Sequence, residues 1–180
     1  MTTLNAFFVA LARNNHWSNH RLYSACKQLP ENEYFAQRAS FFGSIHATLN
    51  HILIVDLLYL GRLEGRERVR SDCDELHSDI ISLEGRQLEV DRELMEYCSR
   101  QDSESLGSPI SYRRSTGQAY TETVESILSH LFVHQIHHRG QVHDMLSQTS
   151  IAPPQLDEFF LDGDLPLRSK DLEELGLPLE

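Results

Sequence analysis

Cysteine is scarce in this chain, and what there is forms no framework. The three cysteines, Cys26, Cys73 and Cys98, are odd in number, widely spaced and without a C-x-x-C pair. That pattern excludes a disulfide scaffold and a thiolate zinc site, so all three read as reduced bystanders. Long apolar runs are also missing. No stretch approaches the roughly 18 uncharged residues of a membrane span, and Met1–Asn5 shows no basic stretch ahead of an apolar core. The expectation is a cytoplasmic protein without a membrane partner. Basic residues are few, 16 against 27 acidic ones, for a net charge of -11. The excess acid lies in residues 66–105 and 151–180. Such a surface repels phosphate backbones, which argues against nucleic acid as a partner. The familiar catalytic signatures are absent as well: no H-E-x-x-H, G-x-S-x-G, G-x-G-x-x-G or P-loop occurs. None of the clustered histidines has a glutamate three residues before it, which weakens a di-iron bundle reading.

What is present is histidine. The chain has ten, and half of them fall between Ser129 and His143. If that stretch is helical, residues four apart lie about 40° apart around the axis and about 6 Å along it, so His134 and His138 can share one metal ion. A third ligand must come from another segment. The best donor is His51, within the apolar-periodic stretch Ser44–Asp56, the other long segment with histidine in its interior. Three neutral imidazoles suit zinc or nickel, with iron or copper as further candidates, and leave open coordination positions as catalytic sites do. His130 continues the stripe one turn before His134 and is placed as a packing or supporting residue. His137 is expected at the edge or in solvent, and His16, His20, His46, His77 and His143 at the surface or between helices. Asp56 falls on a different face from His51 and is expected to pair with a cation such as Arg139. Gly140, inside a helical pattern at a cost of about 1 kcal/mol relative to alanine, suggests a close helix approach. Trp17 and Tyr23 read as core aromatics.

The organisation is helical, and the composition, 40% apolar and 24% charged, is that of a folded domain. A first helix runs from about Leu4 to Leu29, closed by Pro30, and Pro30–Glu33 is read as a linker. A second runs from about Ser40 to Gly65 with the broadest apolar stripe, and a third from about Leu76 to Tyr97. Leu106–Tyr120 alternates between glycines and predicts an irregular link or a small β-hairpin. Thr121 or Thr123 then caps a fourth helix, which reaches about Gln148 before Pro153-Pro154. A short extra C-terminal helix is expected over Gln155–Leu161. The fold class is therefore all-α, a four-helix bundle over residues 1–165, followed by an acidic C-terminal tail, 166–180.

Asn50-His51-Ile52-Leu53 with Asp56, Leu60 and Arg62, together with Ser129-His130-Leu131 and His134-x-x-x-His138-Arg139-Gly140-Gln141-Val142, resembles the DinB/YfiT-like family. Asn15-His16-Trp17-Ser18-Asn19 and Pro153-Pro154-Gln155-Leu156-Asp157 are similar to it too. The resemblance implies a four-helix bundle that is usually dimeric, with a divalent metal held by one histidine on the second helix and an H-x-x-x-H pair on the fourth, here His51, His134 and His138. It implies a metal-dependent enzyme, a thiol S-transferase or a hydrolase acting on a small electrophile, with a low-molecular-weight thiol as partner and a homodimer as assembly. The alternative is a non-catalytic metal-binding or stress-response interaction module.

Overall fold

A computed structural model describes residues 3–66, 75–114 and 116–179. Four long helices dominate it: α1 (Leu4–Cys26), α3 (Ile45–Leu63), α4 (Ile80–Ser99) and α6 (Val124–Ser147). Short helices α2 (Glu31–Phe35) and α5 (Ser103–Leu106) interrupt the connections, strands β1 (Pro109–Arg113) and β2 (Ala119–Thr123) form a hairpin, and α7 (Leu165–Leu175) follows a single 3-10 turn. The expected all-α bundle with a small hairpin is what the chain forms. Around the bundle the order is α1, α4, α3, α6, with α6 closing on α1. Helices α3 and α6 are thus neighbours although α4 lies between them in sequence, which brings His51 beside His134 and His138.

Side-chain caps set where the long helices begin. Thr3, Ser44, Asp79 and Thr123 each accept from a first-turn amide, at 3.2 Å to Ala6, 3.1 Å to Ala47, 2.9 Å to Ser82 and 3.1 Å to Ser126. Each such cap is worth about 1 kcal/mol. The caps explain two shifts from the sequence reading. The second long helix starts at Ile45 rather than near Ser40, and the third at Ile80 rather than Leu76, because Ser44 and Asp79 take the N-cap position. Before Ser44 the chain turns through Gly43 at φ +77°, where a Cβ would stand 2.6 Å from Gln37 Oε1. Gly43→Ala should therefore cost about 1–2 kcal/mol, readable as a lower urea midpoint at unchanged slope.

The core fills the space between the helices with Leu22, Ile45, Leu49, Ile52, Leu53, Leu60, Leu83, Leu94 and Leu128, all essentially inaccessible. Tyr23 and both described cysteines, Cys26 and Cys98, are buried there, and Cys73 lies outside the described residues. Trp17 belongs to a smaller cluster with Phe159 and Leu172. That cluster pins the C-terminal segment to α1. Arg21 reinforces it, donating to Asp171 Oδ2 at 2.6 Å, Glu158 Oε2 at 3.1 Å and the Gln155 carbonyl at 2.9 Å. The terminal helix consequently forms at Leu165–Leu175 and not over Gln155–Leu161, which is irregular. Much of the segment read as a tail is this helix, started by Pro166 in its first turn and ended by Gly176 in the left-handed conformation. The residues read as a linker, Pro30–Glu33, open α2, with Pro30 just ahead of its first turn. No helix among the described residues is long and apolar enough to cross a membrane.

Candidate metal centre

His51 comes from the middle of α3, and His134 and His138 from adjacent turns of α6. One ring nitrogen from each lies within 4.8 Å of the other two. The closest pair, His51 Nε2 and His134 Nε2, is 3.0 Å apart. Imidazoles on a tetrahedral ion, with bonds of 2.0–2.1 Å, hold their nitrogens about 3.3 Å apart, so the closest pair is near the spacing of two ligands on one ion. Electrostatics agree. Burial, with the neighbouring His138 adding to it, lowers the His51 pKa to about 4. Burial, reinforced by His138 and His51, lowers that of His134 to about 3. Burial also lowers His138. All three imidazoles are thus neutral at pH 7, with lone pairs available to a cation.

The surroundings orient the rings. His138 Nδ1 donates to Gln141 Oε1 at 2.8 Å, which places the proton on Nδ1 and frees Nε2 to ligate. Gln141 Nε2 in turn reaches His137 Nε2 at 3.3 Å. The turn at Gly43 sets the Phe42 ring on His51, with centroids 4.1 Å apart, and 5.5 Å from His138. Asn50 does not face the ions' side of the helix. It clamps the α3–α4 connection, accepting from the amides of Leu76 and His77 and donating to the His77 carbonyl at 3.0 Å. Gln141→Leu should loosen the His138 tautomer and lower metal affinity about tenfold, measurable by competition with a chelating dye.

The other sequence-selected residues separate cleanly. His130 is exposed, with its ring 5.0 Å from Tyr59 and 6.3 Å from His134, and lies outside the three-nitrogen cluster. His137 is exposed, as expected. His16 and His46 are buried between helices, against Asp91 and Tyr34. Gly140 corrects an expectation: a Cβ there would meet nothing within 4 Å, so no helix approaches it. A second cluster of potential ligands, His20, Asp171 and Glu174, joins α1 to α7. Arg21 and the Trp17 indole already hold Asp171 Oδ2, and this cation beside the carboxylate makes the cluster an ion-paired clip.

Asp56 and Arg139 also depart from the expected direct pairing. Asp56 Oδ2 accepts from Gln87 Nε2 at 2.7 Å and from Gln135 Nε2. Arg139 Nη1 donates to Gln135 Oε1 at 3.2 Å, to Asn19 Oδ1 at 3.3 Å and to Asn15 Oδ1. Gln135 therefore relays between the two. Asp91 completes the network, accepting from Asn15, Asn19 and Gln87 at 3.0–3.1 Å. Four helices contribute to this buried layer, and its α6 members Gln135 and Arg139 directly follow His134 and His138 in sequence. Burial and the neighbouring Asp91 push the Asp56 carboxyl up to about 8, against the pull of its amide donors and Arg139. Burial lowers the Arg139 guanidinium to about 10.

A four-helix bundle with three inward-facing imidazoles from two neighbouring helices defines a class of candidate metalloproteins. The DinB family model matches residues 1–165, and the chain belongs to that family. It is similar to Protein DinB of Bacillus subtilis (strain 168), with 26% identity over 161 residues covering 86% of this chain and 92% of the relative.

Proposed function

We propose that this protein is a divalent-metal-dependent enzyme whose ion is held by His51, His134 and His138 and whose substrate is a small electrophile attacked by a thiol or by water. The observation that carries the reading is the convergence of three neutral imidazole nitrogens, the closest pair 3.0 Å apart, on one point between α3 and α6. The donor set fits zinc or nickel and leaves room for an exchangeable ligand. When bound, the ion supplies Lewis acidity, bringing the pKa of a water or thiol in its open position into the neutral range. The protein's own contribution is positional. Gln141 fixes one imidazole, Phe42 packs against another, and the Asp56–Gln135–Arg139 layer holds α6 in register with α1 and α3. A homodimer is part of the proposal, and the exposed Phe7, Val133 and Ile136 provide apolar surface for it. Light scattering should give twice the chain mass at tens of micromolar protein, and a monomer would remove that part.

The experiment is cobalt substitution. Cobalt-loaded protein should show ligand-field bands that shift when a small thiol is added. Bands that form but ignore thiols and small anions would favour a closed, non-catalytic metal site. No bands at all would end the metal reading.

A further inference from the structure

We infer that the cavity between α1, α6 and the C-terminal segment is a binding site, separate from the metal centre, for a small uncharged molecule with a flat apolar body and an amide or hydroxyl head group. The cavity holds about 450 Å³, within the size range of ligand pockets. It stands apart from the histidine ligands and does not rest on the proposed function. Its α6 wall is Ile136, Gly140 and His143, at i, i+4 and i+7. Ile136 and Gly140 each lie two residues from His138, about 160° round the helix from the ligand face. Leu156 and Phe160 form the wall from the C-terminal segment. Arg21 donates to the Gln155 carbonyl at 2.9 Å and Trp17 packs on Phe159 with ring centroids 5.5 Å apart, so that wall is fixed to α1.

The polar side of the cavity is α1. Asn14 and Ser18, one helical turn apart, both line it, and both are more than nine-tenths buried, at 8% and 1% exposure. Among the described residues neither side chain has a hydrogen-bond partner. Their polar atoms nevertheless keep a little water-accessible surface, and the space they line is the cavity. A buried amide and hydroxyl left open in this way favour a ligand group that both donates and accepts. Charge of either sign is disfavoured, because an anion would meet Asp157 in the wall and a cation would meet Arg139. The Arg139 guanidinium is also engaged already, donating to Asn15, Asn19 and Gln135. Gly140 adds a separate observation. Glycine weakens a helix, yet a Cβ here would meet nothing within 4 Å, so no neighbour demands it. Its bare backbone leaves the α6 wall open to a ring lying against Ile136, Leu156 and Phe160.

Three probes that share a naphthalene body test this by calorimetry at pH 7: naphthalene-2-carboxamide, naphthalene-2-carboxylate and 2-naphthylmethylammonium. The carboxamide should bind saturably and about tenfold more tightly than either ion. Asn14→Leu, which removes the amide without cutting a bond within the protein, should weaken the carboxamide about tenfold. Gly140→Leu places a side chain that leans back toward Ile136, into the ligand's space, and should abolish binding. Its urea midpoint should stay level or rise, because leucine favours helix over glycine, and that midpoint shows the variant to be folded. No saturable binding of the carboxamide, equal binding of all three probes, or binding that survives Gly140→Leu would overturn the site. Ile136 also belongs to the proposed dimer face. A dimer that falls to the monomer mass when the carboxamide is added would show that a second copy occupies the cavity, and would overturn the site as well.

Discussion

Replacing His134 with alanine is expected to lower the affinity for a divalent ion by roughly a thousandfold or more. His134 adjoins both other ligands, with its Nε2 3.0 Å from His51 Nε2 and its ring centroid 4.3 Å from that of His138. A site of three imidazoles loses a third of its donors when one is cut. His51→Ala and His138→Ala should behave alike, whereas His137→Ala and His143→Ala, which remove rings outside the cluster, should leave affinity within about threefold. Acid titration gives a second check. Protons compete for a ligand only near its own pKa, and burial has lowered His51 to about 4 and His134 to about 3. Metal occupancy should therefore hold from pH 8 to pH 6 and fall as the pH approaches 4, below the ordinary imidazole range. Release centred at pH 6.5 would show that the rings are not desolvated as the fold places them.

The second large effect lies in the buried polar layer that joins the four long helices, where two aspartates play different parts. Asp91 accepts from amides of Asn15, Asn19 and Gln87, and Arg139 needs a counter-charge in the same interior. Asp91→Asn would turn an N–H toward those donors and remove the charge. The expected loss is about 2–4 kcal/mol, softened because the Asp56 carboxyl ionises more readily once Asp91 is neutral. Asp56→Asn should be tolerated within about 1 kcal/mol at pH 4 and below, where Asp56 is largely protonated in the folded and unfolded chain alike. The pH dependence separates the two. The folded Asp56 keeps its proton up to about pH 8 while the unfolded chain loses it near 4, so its contribution is full below pH 4 and declines as pH rises toward 8. Relative to the unmodified protein, Asp56→Asn should gain up to about 1.4 kcal/mol per pH unit between pH 5 and 8. Urea unfolding at pH 6 and pH 8 measures this. A difference that does not change with pH would mean that Asp56 is ionised in the folded state.

Much of this was legible in the residues themselves. The apolar periodicity of α3 and the histidine stripe of α6 are local signals, and the i, i+4 spacing of His134 and His138 needs only helix geometry. Thr121 and Thr123, with the alternation before them, marked the cap to within two residues and the hairpin, and the fold selects Thr123. His51 became a partner through the resemblance and the bundle topology, because nothing on α3 alone says which face meets α6. The rest depended on tertiary structure. Helices α2 and α5 are too short for a period to show, and α7 owes its position to Trp17 and Arg21, more than a hundred residues earlier. Asp56 and Arg139 were matched by charge, but length decides the contact: Gln135, one turn before Arg139, reaches both. Gln141 carried a readable signal, three residues after His138 on the same helix, whereas the place of Phe42 over His51 follows from the turn at Gly43.

The central claim is a centre of three imidazoles with an exchangeable position, and X-ray absorption at the edge of the ion found by elemental analysis tests it most directly. The account predicts about one divalent ion per chain, with three imidazole nitrogens at about 2.0–2.1 Å and a light-atom ligand that a thiol's sulfur replaces at about 2.3 Å. A protein that takes up no ion, or one whose shell holds four protein ligands and does not change with thiol, would contradict it.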